Sequence, residues 1–475
     1  MKVKMSEFLM EKRKIIKKLI QILSKDFKYV SVLGTDSHGK KYLVQRTGVD
    51  ISDSFWNERG FVVRVYNGIG YSEYSFNELD EDNIDKLAQS IKSRVNEQIA
   101  KLKNKVSITN YDVIKEKKIE DSLLEEVKML PEDCSDKYII EKLNKVKDKA
   151  LSFSELIIEA KAIFHEVQVS KIFISNDKDL YQSYIWSEGY ITVLARKNNV
   201  TRFNYSACSG LKGAELLDEL DDKVKDTCDI GVKLLDAKPV NPGEYDVICS
   251  PDVSGIIAHE AFGHGVEMDM FVKNRAKAVE YINKPVASKL VTMYDGAKSA
   301  HHVSSYLFDD DGVIGKDTVI IENGILKRGM SDILSAMRLK TKPTGNGKRF
   351  SFERKAYTRM TNTFFSAGKD KVQDMLASIK DGYLLDCPSS GMEDPKNWGI
   401  QCMVNYGKEI KDGKLTGKIV SPVVLTGYVP DLLKSISMVS ETVELGGSGA
   451  CGKGYKEFVK VSSGGPYIKA KVRLG

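Results

Sequence analysis

The chain has 475 residues, 42% hydrophobic and 29% charged, with 11 prolines; this is the composition of a soluble globular protein too long for one ordinary core, and two or three domains are expected. Its 72 Lys and Arg against 66 Asp and Glu leave a net charge of +6, and the lysine excess falls in helical-looking segments such as Lys12–Lys25 and Lys101–Lys118, so no nucleic-acid partner is expected. No apolar run has signal-peptide or membrane-span length, and seven cysteines without a CxxC pair indicate reduced thiols, so a cytoplasmic protein without membrane contact is expected.

Residues 6–24 place Phe8, Leu9, Ile15, Ile16, Leu19, Ile20 and Leu23 at three- and four-residue steps, which predicts an amphipathic helix. Extended runs follow at Tyr29–Leu33, Lys41–Arg46, Phe61–Tyr66 and Ile69–Ser75, with Gly34, Asp36, Gly39, Gly60 and Gly68 read as turns. A second helix is expected over 83–102, and the lysine-rich stretch 101–120 reads as a connector. The plan then repeats. A helix over 136–150 precedes strands near Glu155–Phe164, Glu166–Ser175, Tyr190–Arg196 and Thr201–Ser209, and a helix over Ala214–Leu235 follows. The repeat has a marker: Trp56-Asn57-Glu58-Arg59-Gly60-Phe61 stands before one apolar strand, and Trp186-Ser187-Glu188-Gly189-Tyr190 before another. The first half is therefore read as two related helix-plus-antiparallel-sheet units, residues 1–105 and 106–237, with a chance match of so short a pattern as the alternative.

Pro239, Pro242 and Gly243 mark a boundary, after which residues 238–475 form a third domain. Tyr245–Cys249 reads as a buried strand, and Ser250 and Pro251 start a helix. Beyond residue 288 the pattern is mostly β, with strands at Leu290–Tyr294, Thr318–Glu322, Gly324–Met330, Gly399–Tyr406, Leu415–Val420 and Tyr467–Val472, and helices at Ser331–Leu339, Lys371–Lys380 and Asp431–Val439. The fold class is α+β, with a C-terminal mostly-β domain carrying a metal-binding helix.

That helix carries His259-Glu260-Ala261-Phe262-Gly263-His264-Gly265, an HExxxH pattern one residue longer than the HExxH of common zinc peptidases. Two imidazoles can bind a divalent metal, and the glutamate can act on water held by it. Residues five apart differ by about 140° around an ideal α-helix, so the helix must widen into a π-bulge or end near Gly263 for both to face one ion. A catalytic zinc needs a third ligand. Candidates are Glu267, Asp269, His301, His302 and Cys451, the last within the run Gly446–Gly454, where it reads equally as a buried thiol. Gly447–Lys453 fits a phosphate loop except that Gly454 replaces the required hydroxyl and strands follow, so a nucleotide site is rejected. Phe308–Gly312 matches a calcium loop in charge alone and reads as a turn.

These motifs, with Glu58-Arg59-Gly60 through Gly70-Tyr71, Arg359-Met360-Thr361-Asn362-Thr363, Ser435–Val439 and Gly449-Ala450-Cys451-Gly452-Lys453, resemble the TldD/PmbA family of metallopeptidases, on its TldD side, over almost the whole chain. The resemblance implies one zinc held by His259, His264 and Cys451, with Glu260 as general base. It also implies unfolded or leader-type peptides as substrates, held in extended form, and a dimer formed with itself or with a PmbA-type partner. The PmbA side lacks the metal motif. A peptide is expected to add as a strand to a sheet edge, with the glycines around Gly391 and Gly446 lining the cleft. The competing expectation is a non-catalytic, zinc-stabilised peptide-binding scaffold, whose metal site would be closed by a fourth ligand from Glu267, His301 or His302.

Overall fold

The computed structural model describes residues 1–102, 109–454 and 457–475. The boundary placed between residues 105 and 106, and residues 103–108 of the expected connector 101–120, lie outside the described residues.

The first half alternates helices and strands: α1 (Glu7–Leu23), β1 (Val30–Gln45), β2 (Gly48–Asp53), β3 (Glu58–Tyr66), β4 (Tyr71–Phe76), α2 (Ile84–Leu102), β5 (Ile119–Leu124), α3 (Asp136–Leu151), β6 (Ile157–Ser175), β7 (Lys178–Lys197), β8 (Val200–Gly210) and α4 (Leu216–Lys233). Ser6 and Ser135 cap α1 and α3 through their hydroxyls. All eight strands join one sheet in the order β4-β3-β1-β6-β7-β5, with β2 on β1 and β8 on β7. The stretches before and after residue 108 thus share one sheet, joined where β1 runs antiparallel to β6 from Ser31–Ser175 to Val44–Ala162.

Side chains alternate across the sheet and decide what each face meets. On one face Val30, Val32, Phe61 and Ile172 pack under α1 and α2, and Tyr42, Val44, Ala162 and Ile191 pack under α3 and α4. On the other face Val167, Val169, Tyr184 and Trp186 meet Ala297, Val303 and Tyr306 of the C-terminal half. The centre of the sheet is thus buried on both sides, while β2 is exposed throughout.

Several positions read as turns lie inside strands. Gly34 and Gly39 sit within β1, and Gly60 within β3. A Cβ on Gly39 would overlap the Glu166 carbonyl, and one on Gly60 would overlap the Phe352 ring. These glycines permit close approach rather than reversal. The two runs expected on either side of His165 are one strand, β6. Trp186 lies within β7 rather than before a strand, whereas Trp56 does stand before β3.

The second half opens with β9 (Gly243–Cys249), α5 (Pro251–Ile256), a π-helical segment Ile257–Gly263, a 3-10 turn His264–Val266 and α6 (Met268–Val272). Then come β10 (Met293–Asp295), β11 (Thr318–Glu322), β12 (Ile325–Leu326), α7 (Ile333–Arg338), β13 (Gly347–Lys348), β14 (Tyr357–Thr358), β15 (Asn362–Phe365), α8 (Val372–Ala377), β16 (Asp381–Asp394) and β17 (Gly399–Lys411). The chain ends through β18 (Lys414–Val420), β19 (Val423–Tyr428), α9 (Val429–Ser435), β20 (Met438–Val439), β21 (Glu444–Gly446), β22 (Cys451–Lys453), β23 (Glu457–Val459), β24 (Ser462–Gly465) and β25 (Ile468–Leu474). Pairings run β16-β9-β25-β19-β17, and β17 returns to β16, so five strands close into a ring. A second sheet has the order β12-β11-β10-β15-β24-β21. The helical segment 251–263 lies between the ring and this sheet, with Val253, Ile257, Ala261 and Phe262 in their common core. The fold is α+β.

Candidate metal centre

The chain enters the site through β9, where Ser250 accepts from the Val253 N–H and Pro251 fills the first helical turn. The helix then widens. His264 N–H bonds to the His259 carbonyl, a five-residue step, and Ile257–Gly263 is π-helical. The widening overcomes the awkward spacing: the rings of His259 and His264 stand 5.1 Å apart at 87°. Gly263 ends this segment and packs against Met360, whose sulfur a side chain there would overlap.

Cys451 arrives from 187 residues away. Its Sγ lies 3.6 Å from His264 Nε2, and one donor atom each from His259, His264 and Cys451 fall within 4.8 Å of one another. Two zinc–ligand bonds of about 2.0 and 2.3 Å at a tetrahedral angle would separate nitrogen and sulfur by ~3.5 Å. Two imidazoles and a thiolate are also the donor chemistry zinc favours, so the residues fit such an ion. His259 and Cys451 are each 6% exposed, which leaves little competing water. Burial pushes the Cys451 thiol up, but His259 and His264 outweigh it and hold the thiol well below its ordinary range.

Glu260 sits at the mouth of this group. Its carboxylate oxygens lie 3.7 Å from His264 Nε2 and 4.0 Å from His259 Nε2. Burial raises its pKa, with the two imidazoles opposing. Its Cγ is pressed by Gly391 of β16, where a Cβ would come within 2.5 Å.

The other candidates for a third ligand stand elsewhere. Glu267 lies behind His264, with Oε2 3.5 Å from Nδ1 and 2.8 Å from Lys453 Nζ. Burial would raise its carboxyl, but Lys453, His264 and Arg359 hold it far below the ordinary range. It is thus an orienting anion for His264. Asp269 pairs with Lys453 at 2.7 Å and Lys273 at 3.0 Å. His301 is exposed and faces Glu125 at 3.2 Å, and His302 donates its backbone N–H to Ser305. Among the described residues, neither histidine joins the donor group.

Three supports were not legible as such in the sequence. Arg359, 1% exposed, donates to the Cys451 and Glu457 carbonyls and fixes the backbone of the third donor. Lys453, conspicuous in the sequence as a phosphate-loop lysine, instead binds Glu267, Asp269 and the Thr358 carbonyl. Glu393 of β16 accepts from the Gly265 N–H at 3.0 Å, and burial drives its pKa well up. The Arg359–Thr363 motif was the available signal for the first; Glu393 had none. The glycine expectation divides: Gly391 touches Glu260, whereas Gly447 packs on Val303 and His302.

Residues 242–473 match the family described as the PmbA/TldA metallopeptidase C-terminal domain. A metalloprotease of Methanocaldococcus jannaschii is 29% identical over 427 residues, covering 88% of this chain and 90% of its own. A zinc metalloprotease TldD homolog of Saccharolobus solfataricus is 30% identical over 320 residues, 65% of this chain and 68% of its own. Among solved structures, TldE of Thermococcus kodakarensis superimposes with a TM-score of 0.73 at 18% identity, over 97% of this chain and 100% of that one. A Thermotoga maritima protein described as a candidate modulator of a DNA gyrase gives 0.77 at 16% identity, over 98% and 100%. At such identities the structural matches speak for the fold. With the sequence relatives and the matched C-terminal domain, they lead to one conclusion: the chain belongs to the TldD/PmbA family of metallopeptidases.

Proposed function

We propose that the protein is a zinc-dependent peptidase acting on unfolded or extended peptides, with one zinc per chain held by His259, His264 and Cys451. The observation that carries this reading is the donor group with Glu260 beside it. A zinc ion there supplies an electrophilic centre that acidifies water and polarises a peptide carbonyl. Glu260 takes the proton from the attacking water and delivers it to the departing amine. Glu267 holds His264 through Nδ1, and Lys453 keeps Glu267 ionised. Three donors, with Glu267 turned away into its ion pairs, favour an open fourth position over the closed site a scaffold would need. Beyond Leu385, β16 has β17 as its strand partner among the described residues, and the face of this stretch lies against Glu260 at Gly391, so an extended peptide would add as a strand along the other edge of β16 past Pro388, whose carbonyl accepts from the Tyr205 hydroxyl.

In this reading residues 238–475 are the peptidase domain. Residues 1–105 and 106–237 are the units that shape access and assembly, in a cytoplasmic dimer formed with itself or with a PmbA-type partner. The test is peptide hydrolysis and zinc content measured together. Glu260→Gln is expected to keep wild-type zinc and lose about 10²–10⁴-fold in kcat. Full activity with zinc retained would refute the role of Glu260.

A further inference from the structure

The tryptophan–glutamate pattern shared by Trp56–Gly60 and Trp186–Gly189 takes no part in the chemistry above. In the fold its two carboxylates both reach across to the C-terminal half. Glu58 Oε2 accepts from the Phe352 N–H at 2.9 Å. Glu188, within β7, does more. Its Oε2 accepts from the Gly449 N–H at 3.0 Å, from Lys460 Nζ at 2.6 Å and from the Tyr190 hydroxyl at 3.1 Å. Its Oε1 stands 2.9 Å from His165 Nδ1, and His165 Nε2 stands 2.7 Å from Ser54 Oγ. Ser54 is 4% exposed and its oxygen also accepts from the Trp56 N–H, so this serine–histidine–glutamate line is a brace and not a nucleophile. The Trp186 ring lies 4.3 Å from the Lys460 ammonium and meets His165 and Trp56 edge-on.

Lys460 also donates to the Gly449 carbonyl at 3.0 Å. Gly449 is therefore gripped at both ends of its residue, by the carboxylate on N–H and by the ammonium on C=O. Two residues earlier, the Gly447 N–H donates to Ser209 Oγ of β8 at 2.7 Å. Residues 447–450 have no strand or helix of their own, and Gly449 has φ of +102°. The loop leading into Cys451 is thus held largely by side chains of the N-terminal sheet and by Lys460.

We propose that Glu188 is a positioning residue for the metal centre: through Gly449 and Lys460 it fixes the loop that delivers Cys451 to His259 and His264. The inference rests on Cys451 being the third ligand. If the clamp is cut, ordering residues 447–450 is left to metal binding itself, and affinity falls by the amount the loop's freedom costs.

The experiment titrates metal-free protein with Zn²⁺ against a chromophoric chelator, and with Co²⁺ read by its thiolate charge-transfer band. Glu188→Gln is expected to weaken Zn²⁺ binding about 10–100-fold and to weaken the cobalt–thiolate band at equal metal. Alkylation of Cys451 in the metal-free variant, mapped by mass spectrometry, should be faster. Ser209→Ala, which removes one hydrogen bond from the same loop and leaves no buried charge unpaired, should shift all three readouts the same way by less. It carries the test if Glu188→Gln fails to fold. Wild-type affinity in both variants, with Cys451→Ser weakened, overturns the positioning role and leaves the ligand set intact. Wild-type affinity in Cys451→Ser overturns the ligand assignment and the proposal with it.

Discussion

A carboxylate beside two imidazoles serves as a base only if it cannot wander, and Glu260 is confined by a glycine. Gly391 lets β16 lie against the Glu260 side chain, and a methyl group there would come within 2.5 Å of Cγ. Gly391→Ala is expected to displace the carboxylate and lower kcat about 10²-fold while zinc content stays at wild type, as assays of turnover and bound metal would show. Loss of zinc instead would mean that the glycine supports the ligands rather than the base. At this scale the sequence was informative where the chemistry is contiguous: His259, Glu260 and His264 fall within six residues. By spacing Cys451 was one of several candidates, because its partner histidines are distant in the chain, and the resemblance to the family is what singled it out. Arg359, Lys453 and Glu393 act through contacts that no spacing encodes.

At the scale of elements, the five-residue histidine spacing was itself a structural statement. It required a widened or ended helix near Gly263, and the segment 257–263 is π-helical. Because a side chain at Gly263 would overlap Met360 Sδ, Gly263→Ala is expected to cost roughly 1–3 kcal/mol in urea denaturation and to weaken zinc binding. Unchanged stability and affinity would show that the widening does not depend on this glycine. Apolar periodicity located α1, α2, α3 and α4 to within a few residues. It failed on the long strands, since Gly34 and Gly39 look like turns when read locally. Their need for glycine comes from a neighbouring strand and helix, which only the folded chain brings close. β16, which confines Glu260, showed no clear alternation and was missed.

At the scale of the whole molecule, the described strands of the first half form one sheet, and that sheet is bonded to the second half through buried charge. Arg64 bridges Glu73 at 2.8 Å and Asp311 at 2.6 Å, Arg349 binds Glu73, and Lys171 binds Asp310. The acidic run 309–311, which mimics a calcium loop in sequence, is thus a docking surface for the sheet. This was not legible earlier because each partner lies more than a hundred residues away. Burial alone would raise the Glu73 carboxyl, but Arg64 and Arg349 lower it to about 2. A depressed folded pKa gives stability that is present above the unfolded value and lost as pH falls. Glu73→Gln should therefore destabilise by about 3 kcal/mol at pH 7, with the difference from wild type shrinking between about pH 4.5 and 2. Urea midpoints across that range test it, and a difference independent of pH would contradict it. Glu58 and Glu166 act in the opposite sense: burial lifts each to about 7, so their contribution is full below the unfolded pKa and declines as pH rises towards 7.

On this reading two imidazoles and one thiolate converge on a single metal with a position left open. X-ray absorption at the zinc edge of the loaded protein measures this directly. The account predicts one sulfur at about 2.3 Å and two imidazole nitrogens at about 2.0 Å, with a further light-atom scatterer from solvent, and loss of the sulfur in Cys451→Ser. A shell without sulfur, or one unchanged in Cys451→Ser, would contradict it.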